Sequence, residues 1–254
     1  MNTIHFQNVT KKYGERKAND DLSFQIDAGE IFGLLGPNGS GKTTAISLLM
    51  GLISPDSGSV RVSGLDPIND YKKTRSLIGF VSQETILYED LTAMDNLTFA
   101  ASLFLNNIGN RKKRIREILD LVELSTRSGE PVKRFSGGMK RRLSIGMALI
   151  HNPLIILLDE PTLGVDVQGS HRIWDYIKNF ASTGKTVLVT TNVMSEADYL
   201  CDRLLILDHG KKITLGTPDE LKASLGVSEI LIRQKPSLDD VFLKLTGHGL
   251  RDTV

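Results

Sequence analysis

The segment IFGLLGPNGSGKTTAISLLMGL (residues 31–52) changes character twice along its length. It begins with IFGLL (31–35), a short apolar run of the kind found in strands buried on both faces. It ends in KTTAISLLMGL (42–52), whose apolar residues recur at helical spacing. Between the two, Gly36, Gly39 and Gly41 alternate with Pro37, Asn38 and Ser40 and lead into Lys42, Thr43 and Thr44. Backbone this small can take positive φ and approach a ligand closely. Its N–H groups point into a concavity, and the helix starting near Lys42 adds the positive end of its dipole. The order G-x-x-x-x-G-K-[ST] is that of a phosphate loop: Lys42 reaches the β- and γ-phosphates and the Thr43 hydroxyl ligates Mg²⁺. A chance glycine turn is the competing reading. The strand before the loop and the helix after it argue for a nucleotide.

A phosphate loop needs a second strand end bearing an acid for the metal. LIILLDEP (154–161) supplies one: an apolar strand followed by Asp159 and Glu160. Asp159 is placed to hold Mg²⁺, directly or through water. Glu160, one residue further, can accept a hydrogen bond from an attacking water.

Strand patterns also cover 3–9, 22–26, 59–64, 77–83, 186–191, 203–208 and 212–216, and a helix is expected over 168–182. From Thr92 to Ile150 the periodicity turns helical, over 95–105, 114–124 and 137–150. Alternating strands and helices imply a mostly parallel sheet covered on both faces. The expected fold class is therefore α/β: a phosphate-loop NTPase core, an N-terminal antiparallel β subdomain and an all-helical insertion subdomain at about 86–150. The expected division is a nucleotide-binding domain over 1–220 and a short extension over 221–254, with a strand at 229–234 and a helix at 237–245.

Composition fits this picture. Of 254 residues, 40% are apolar and 24% charged, enough for a sizeable core. A formal net charge of +1 gives no global field for nucleic acid, so none is expected as a partner. Cys201 is the only cysteine, which points to a reducing cytosol. The opening residues MNTIHFQNV lack a signal-peptide pattern, and no apolar run approaches the roughly 18–20 residues that span a bilayer. The five histidines share no metal-ligand spacing.

The segment RFSGGMKRRLSIGMALIHNPLIILLDEPTLGVD (134–166) resembles the signature region of ATP-binding cassette (ABC) ATPases. The resemblance covers about residues 3–220, with the family's short motifs in order. It implies that Tyr13 stacks on adenine and that Gln83 touches the metal and water. It implies that Ser136, Gly137, Gly138 and Met139 form the signature, which caps an ATP held by a second cassette. It implies that Gly164, Val165 and Asp166 form the loop crossing the dimer seam. In isolation Tyr13 could be a hairpin aromatic, Gln83 a surface amide and Ser136 a plain helix cap. The cofactors implied are ATP and Mg²⁺. The partners implied are a second cassette chain and a membrane permease docked near the Gln83 loop, at the cytoplasmic face of the membrane.

The signature reads FSGGM where LSGGQ is commonest, and PSLDDVFLKLTGH (236–248) resembles the end of daunorubicin-resistance-type exporter ATPases. A second departure lies in TVLVTTNVMSEADYL (186–200), where Asn192 occupies the place of the family's histidine. Asn192 either substitutes as a neutral donor, with slower hydrolysis, or leaves a cassette that binds ATP and turns over poorly. The resemblance implies the ATPase subunit of a transporter, most consistent with export. A soluble cassette acting on ribosomes or DNA and a weakly hydrolysing regulatory cassette are the alternatives. The basic run RKKRIR (111–116) reads as the solvated face of an insertion helix, with an acidic partner as the other reading. Lys140, Arg141 and Arg142 either add positive potential near the phosphate in trans or are exposed helix charges.

Overall fold

A computed structural model describes residues 2–105, 107–224 and 244–245. The chain opens with a hairpin, β1 (Asn2–Tyr13) and β2 (Arg16–Asp27), followed by β3 (Ile31–Leu35) and α1 (Lys42–Leu49). Next come β4 (Ser57–Val62), α2 (Tyr71–Leu77) and β5 (Ile78–Val81). Three helices follow: α3 (Ala93–Phe104), α4 (Ile108–Leu121) and α5 (Gly137–Leu149). Strands then return as β6 (Ile155–Asp159), α6 (Val167–Ser182), β7 (Thr186–Thr191), α7 (Met194–Leu200), β8 (Arg203–Asp208), β9 (Lys211–Gly216) and α8 (Pro218–Ala223).

Two sheets form. One is antiparallel, in the order β2-β1-β4. The other runs β5-β6-β7-β3-β8-β9, parallel except for β9. The central strands β3, β6 and β7 are buried at every residue. Their side chains divide by strand period between two cores. In β6, Ile155 and Leu157 face the small sheet and α1, while Ile156 and Leu158 face the helices. Phe6, Phe24 and Phe32 stack in series between the sheets, with centroids 4.5 and 5.5 Å apart. The other core joins α3, α4, α5, α6 and α7 to the opposite face of the large sheet.

Local chemistry fixes the helix starts. The Thr92 hydroxyl accepts from the Asp95 N–H while the Asp95 carboxylate accepts from the Thr92 N–H, a capping box at α3. Ser136 caps α5 and Asp166 caps α6.

Several elements differ from the sequence expectations. β1 and β2 are longer, because register shifts between Phe6 and Val9, with Asn8 at φ 49°, reset the alternation that ended the readable pattern. α4 begins earlier, at Ile108, where Asn107 caps it. Its basic run is mixed. Lys112, Lys113 and Arg116 are exposed, whereas Arg114 donates to the Leu149 and Ile150 carbonyls at the end of α5. Helices α2, α7 and α8 were not expected. Each is short, and α2 buries only Thr74, so no period could be read. The expected strand at 229–234 and the helix over 237–243 lie outside the described residues.

Candidate functional site

Ligands of open parallel sheets sit beyond the carboxyl ends of the strands, where the strand order reverses. In this sheet the chain leaves β3 for a helix on one side and returns to β7 and β8 on either flank. The phosphate loop, Gln83 and Asn192 follow the carboxyl ends of β3, β5 and β7, and Asp159 is the last residue of β6 between β5 and β7.

The loop is held from several directions. The Gly36 N–H donates to the Thr191 carbonyl at 3.3 Å. Arg16 Nη2 donates to the Gly39 carbonyl at 2.6 Å, and Asn19 Nδ2 to the Gly41 carbonyl at 3.3 Å. Gly41 has φ 111°, and a Cβ there would lie 2.1 Å from the Ala18 carbonyl oxygen, so no other residue fits. Lys42 Nζ donates to the Gly36 and Pro37 carbonyls at 2.7 and 3.2 Å. The ammonium is thus bonded to its own loop and stands 3.7 Å from the Glu160 carboxylate. Burial pulls the Lys42 pKa below its usual value, against the attraction of Glu160 and Asp159. Burial pushes the Glu160 carboxyl above its usual range, against the pull of Lys42. Glu160 also has φ 46°, a left-handed backbone uncommon for a non-glycine residue. Its N–H donates to the Thr190 carbonyl at 3.0 Å, and Thr190 Oγ1 donates to Asp159 Oδ1.

Lys42 and Glu160 border a cleft of about 530 Å³, whereas Asp159 lies beneath it, buried and outside the lining. Tyr13 and Arg16 form one wall, Asn38, Gly39 and Gly41–Thr44 the floor, and Gln83 and Glu160 the far side. Tyr13 is 55% exposed, with the Lys11 ammonium 5.9 Å from its ring centroid, so most of the ring is open to the cleft mouth. The Thr43 hydroxyl, Gln83 amide and Asp159 carboxylate are all oxygen donors, a set that suits a hard cation such as Mg²⁺. Asn192 does not line this cleft. It follows Thr191, whose carbonyl holds the phosphate loop and whose hydroxyl accepts from the Val193 N–H at 2.9 Å.

Ser136, Gly138, Met139 and Asp166 do not border the phosphate cleft either. They line a second, smaller cleft of about 120 Å³, with Arg142 and Arg172. The Ser136 hydroxyl accepts from the Met139 N–H at 3.3 Å. Gly138 lies against Val165, and Gly137 against the Gly164 carbonyl. The signature and the loop at 164–166 therefore form one surface. Phe135 is buried under the Arg127 guanidinium, as its apolar character requires.

Two residues were missed by sequence reasoning. Arg16 opens β2, three residues after Tyr13, yet only the folded loop reveals its partner. Arg141, which the sequence offers as a source of positive potential or as an exposed helix charge, is not exposed. It is 2% exposed and donates to backbone carbonyls of the two segments that carry Gln83 and Glu160. Lys140 pairs with Glu89 and Arg142 with Glu123.

The fold and the cleft define a phosphate-loop nucleoside triphosphatase. Residues 19–163 match the family described as ABC transporter. A Nod factor export ATP-binding protein I of Sinorhizobium fredii is 36% identical, over 98% of this chain and 87% of its own length. A daunorubicin resistance ATP-binding protein of Streptomyces coeruleorubidus is 39% identical, over 96% of this chain and 78% of its own. A solved dimer of an ATP-binding cassette in a post-hydrolysis state, bound to ADP and Pi, superposes with a TM-score of 0.75. It is 31% identical and covers 84% of this chain and 98% of its own. The chain belongs to the ABC transporter family, as an ATP-hydrolysing subunit.

Proposed function

We propose that this subunit powers export through a separate membrane permease, and that two copies close head to tail around two ATP molecules. One observation carries the dimer reading. The phosphate loop, Gln83 and Glu160 share one cleft, while Ser136, Gly138 and Asp166 line another. A chain cannot cap its own γ-phosphate with a signature that lies outside its own ATP cleft. A second chain in a two-fold pair can. The N–H groups at the start of α5 then face the partner's ATP with the helix dipole behind them.

Within each site, Tyr13 stacks on the adenine, and the loop from Gly36 to Thr44 holds the phosphates. Lys42 exchanges its loop carbonyls for β- and γ-phosphate oxygens. Thr43, Gln83 and Asp159 would hold Mg²⁺, which neutralises phosphate charge when bound. A water oxygen then bonds to the γ-phosphorus as the bridging P–O bond breaks, and the electron pair leaves with ADP. Glu160 accepts the water's hydrogen bond, and its burial makes it the stronger base for doing so. Asn192 contributes a neutral donor to the γ-phosphate and Asp166 belongs to the dimer seam.

An exposed apolar surface supports a docked protein partner such as a permease. Beyond the Gln83 loop and along α3, Ile86, Tyr88, Phe99 and Leu103 are exposed, an apolar surface of the sort that binds protein. No helix among the described residues is long and apolar enough to cross a membrane. The cassette is assigned to 1–220, with its helical insertion at about 86–150 and an appended element over 221–254.

The test is a paired cysteine variant, Asn38→Cys with Ser136→Cys. Both positions are exposed, and the native Cys201 is buried. Oxidation in ATP is expected to give a covalent dimer, and little of it without nucleotide. Cross-linking that is absent, or confined within one chain, would refute the arrangement.

A further inference from the structure

α5 is capped by Ser136 of the signature and carries Arg141 five residues later, about 7.5 Å along the helix axis. Arg141 Nε donates to the Pro161 carbonyl at 2.7 Å. Its Nη2 donates to the Asp159 and Glu160 carbonyls at 2.8 and 3.0 Å. Its Nη1 donates to the Ser82 carbonyl and, at 3.4 Å, to that of Gln83. A guanidinium has five N–H donors and no acceptor, so a fan of five carbonyls can use them fully. Among the described residues no carboxylate forms an ion pair with it. The charge is compensated by backbone dipoles and by the field of Asp159, Glu196 and Glu160 nearby.

The fan exists because of a strained residue. Glu160 sits at φ 46°, and non-glycine backbone of this kind costs on the order of 1–3 kcal/mol. That turn aims three successive carbonyls, from Asp159 to Pro161, at one point, and Arg141 occupies it. The same guanidinium also holds the backbone of Gln83. A single side chain on the signature helix therefore fixes the backbone under both Gln83 and Glu160, which line the phosphate cleft.

We propose that Arg141 is a positioning residue that couples the signature of one cassette to hydrolysis in that cassette's own site. When Ser136 and the first turn of α5 engage a partner's ATP, α5 moves as a rigid rod. Arg141 then carries Gln83 and Glu160 with it. Occupancy of one site is felt at the other, and by linkage the effect is reciprocal. This inference rests on the head-to-tail reading above.

The experiment compares the full-length parent with Arg141→Met and Arg141→Lys. It measures kcat, ATP dissociation constant and the Hill coefficient for ATP. Methionine keeps the apolar stem and loses all five donors. Lysine restores the charge and reaches fewer carbonyls. Expected for Arg141→Met is a fall in kcat of about tenfold or more, with ATP affinity within about threefold and a Hill coefficient falling toward 1. Arg141→Lys is expected to recover part of the rate.

Rates and Hill coefficients within twofold of the parent in both variants would overturn the proposal. So would affinity falling in step with kcat, or a parent that itself titrates with a Hill coefficient of 1. If Arg141→Met does not fold, Arg141→Lys decides by the same criteria. If neither folds, the arginine is a fold determinant and the proposal fails. ATP-dependent dimerisation of each variant in a Glu160→Gln background separates the two readings. A variant that dimerises yet hydrolyses as the parent does sinks only the role of Arg141. A Glu160→Gln parent that never dimerises sinks the head-to-tail reading instead.

Discussion

Replacing Asn192 by histidine is expected to raise turnover. The residue follows β7, and Thr191 before it anchors the phosphate loop through the Gly36 N–H at 3.3 Å. The backbone at 192 is thus tied to the loop that carries the γ-phosphate, and a side chain there has a fixed origin. Asparagine offers a neutral amide donor, worth about 0.5–1.5 kcal/mol net to a phosphate oxygen. A protonated imidazole offers a charged donor, worth about 1.5–3 kcal/mol. If the difference, about 1 kcal/mol, is realised only in the transition state, kcat rises about fivefold. The assay is steady-state phosphate release by parent and Asn192→His chains, with ATP affinity measured in parallel. Affinity is expected to stay within a factor of a few. Because the gain depends on the proton, it is expected to shrink as pH rises past about 6.5 toward 8. An unchanged or lower kcat at every pH would refute the reasoning.

Two further outcomes follow from the same geometry. Burial raises the Glu160 pKa, so hydrolysis is expected to fail on acidification at a pH above the usual carboxylate range. The folded state then holds more protons than the unfolded chain in that window. Stability is therefore expected to fall as pH rises through it, a slope that Glu160→Gln removes in urea titrations; an unchanged slope would speak against a raised pKa. In the core between the two sheets, Phe24 is 6% exposed between Phe6 and Phe32. Phe24→Ala is expected to cost about 3–5 kcal/mol in urea unfolding, and a loss under about 1.5 kcal/mol would mean that the two sheets do not depend on this stack.

The parts of this molecule that could be read from sequence are those where chemistry is local. The phosphate loop announces itself because its glycines, lysine and threonine act within one turn of chain. β3, β6 and β7 were legible because strands buried on both faces carry unbroken apolar runs, 31–35, 155–158 and 187–189, before Asp159 and Thr190. The extent of the β1–β2 hairpin was not, because irregularities near Asn8 shift the alternation out of phase. Arg141 was illegible for a deeper reason. Its partners are carbonyls between 18 and 59 residues away in the chain, and every residue has a carbonyl. No residue type marks the receiving end, so an internal tether reads as one more cation in KRR. The separation of Ser136 from Lys42 was expected only through resemblance, and the two clefts give it a geometric basis.

The central claim is that ATP joins two copies of this chain, each completing the other's site. Light scattering of the Glu160→Gln chain, expected to bind ATP without hydrolysing it, tests this. The account predicts a monomer without nucleotide and a dimer in Mg-ATP. A strictly monomeric mass in Mg-ATP at high concentration, even beside the permease, would contradict it.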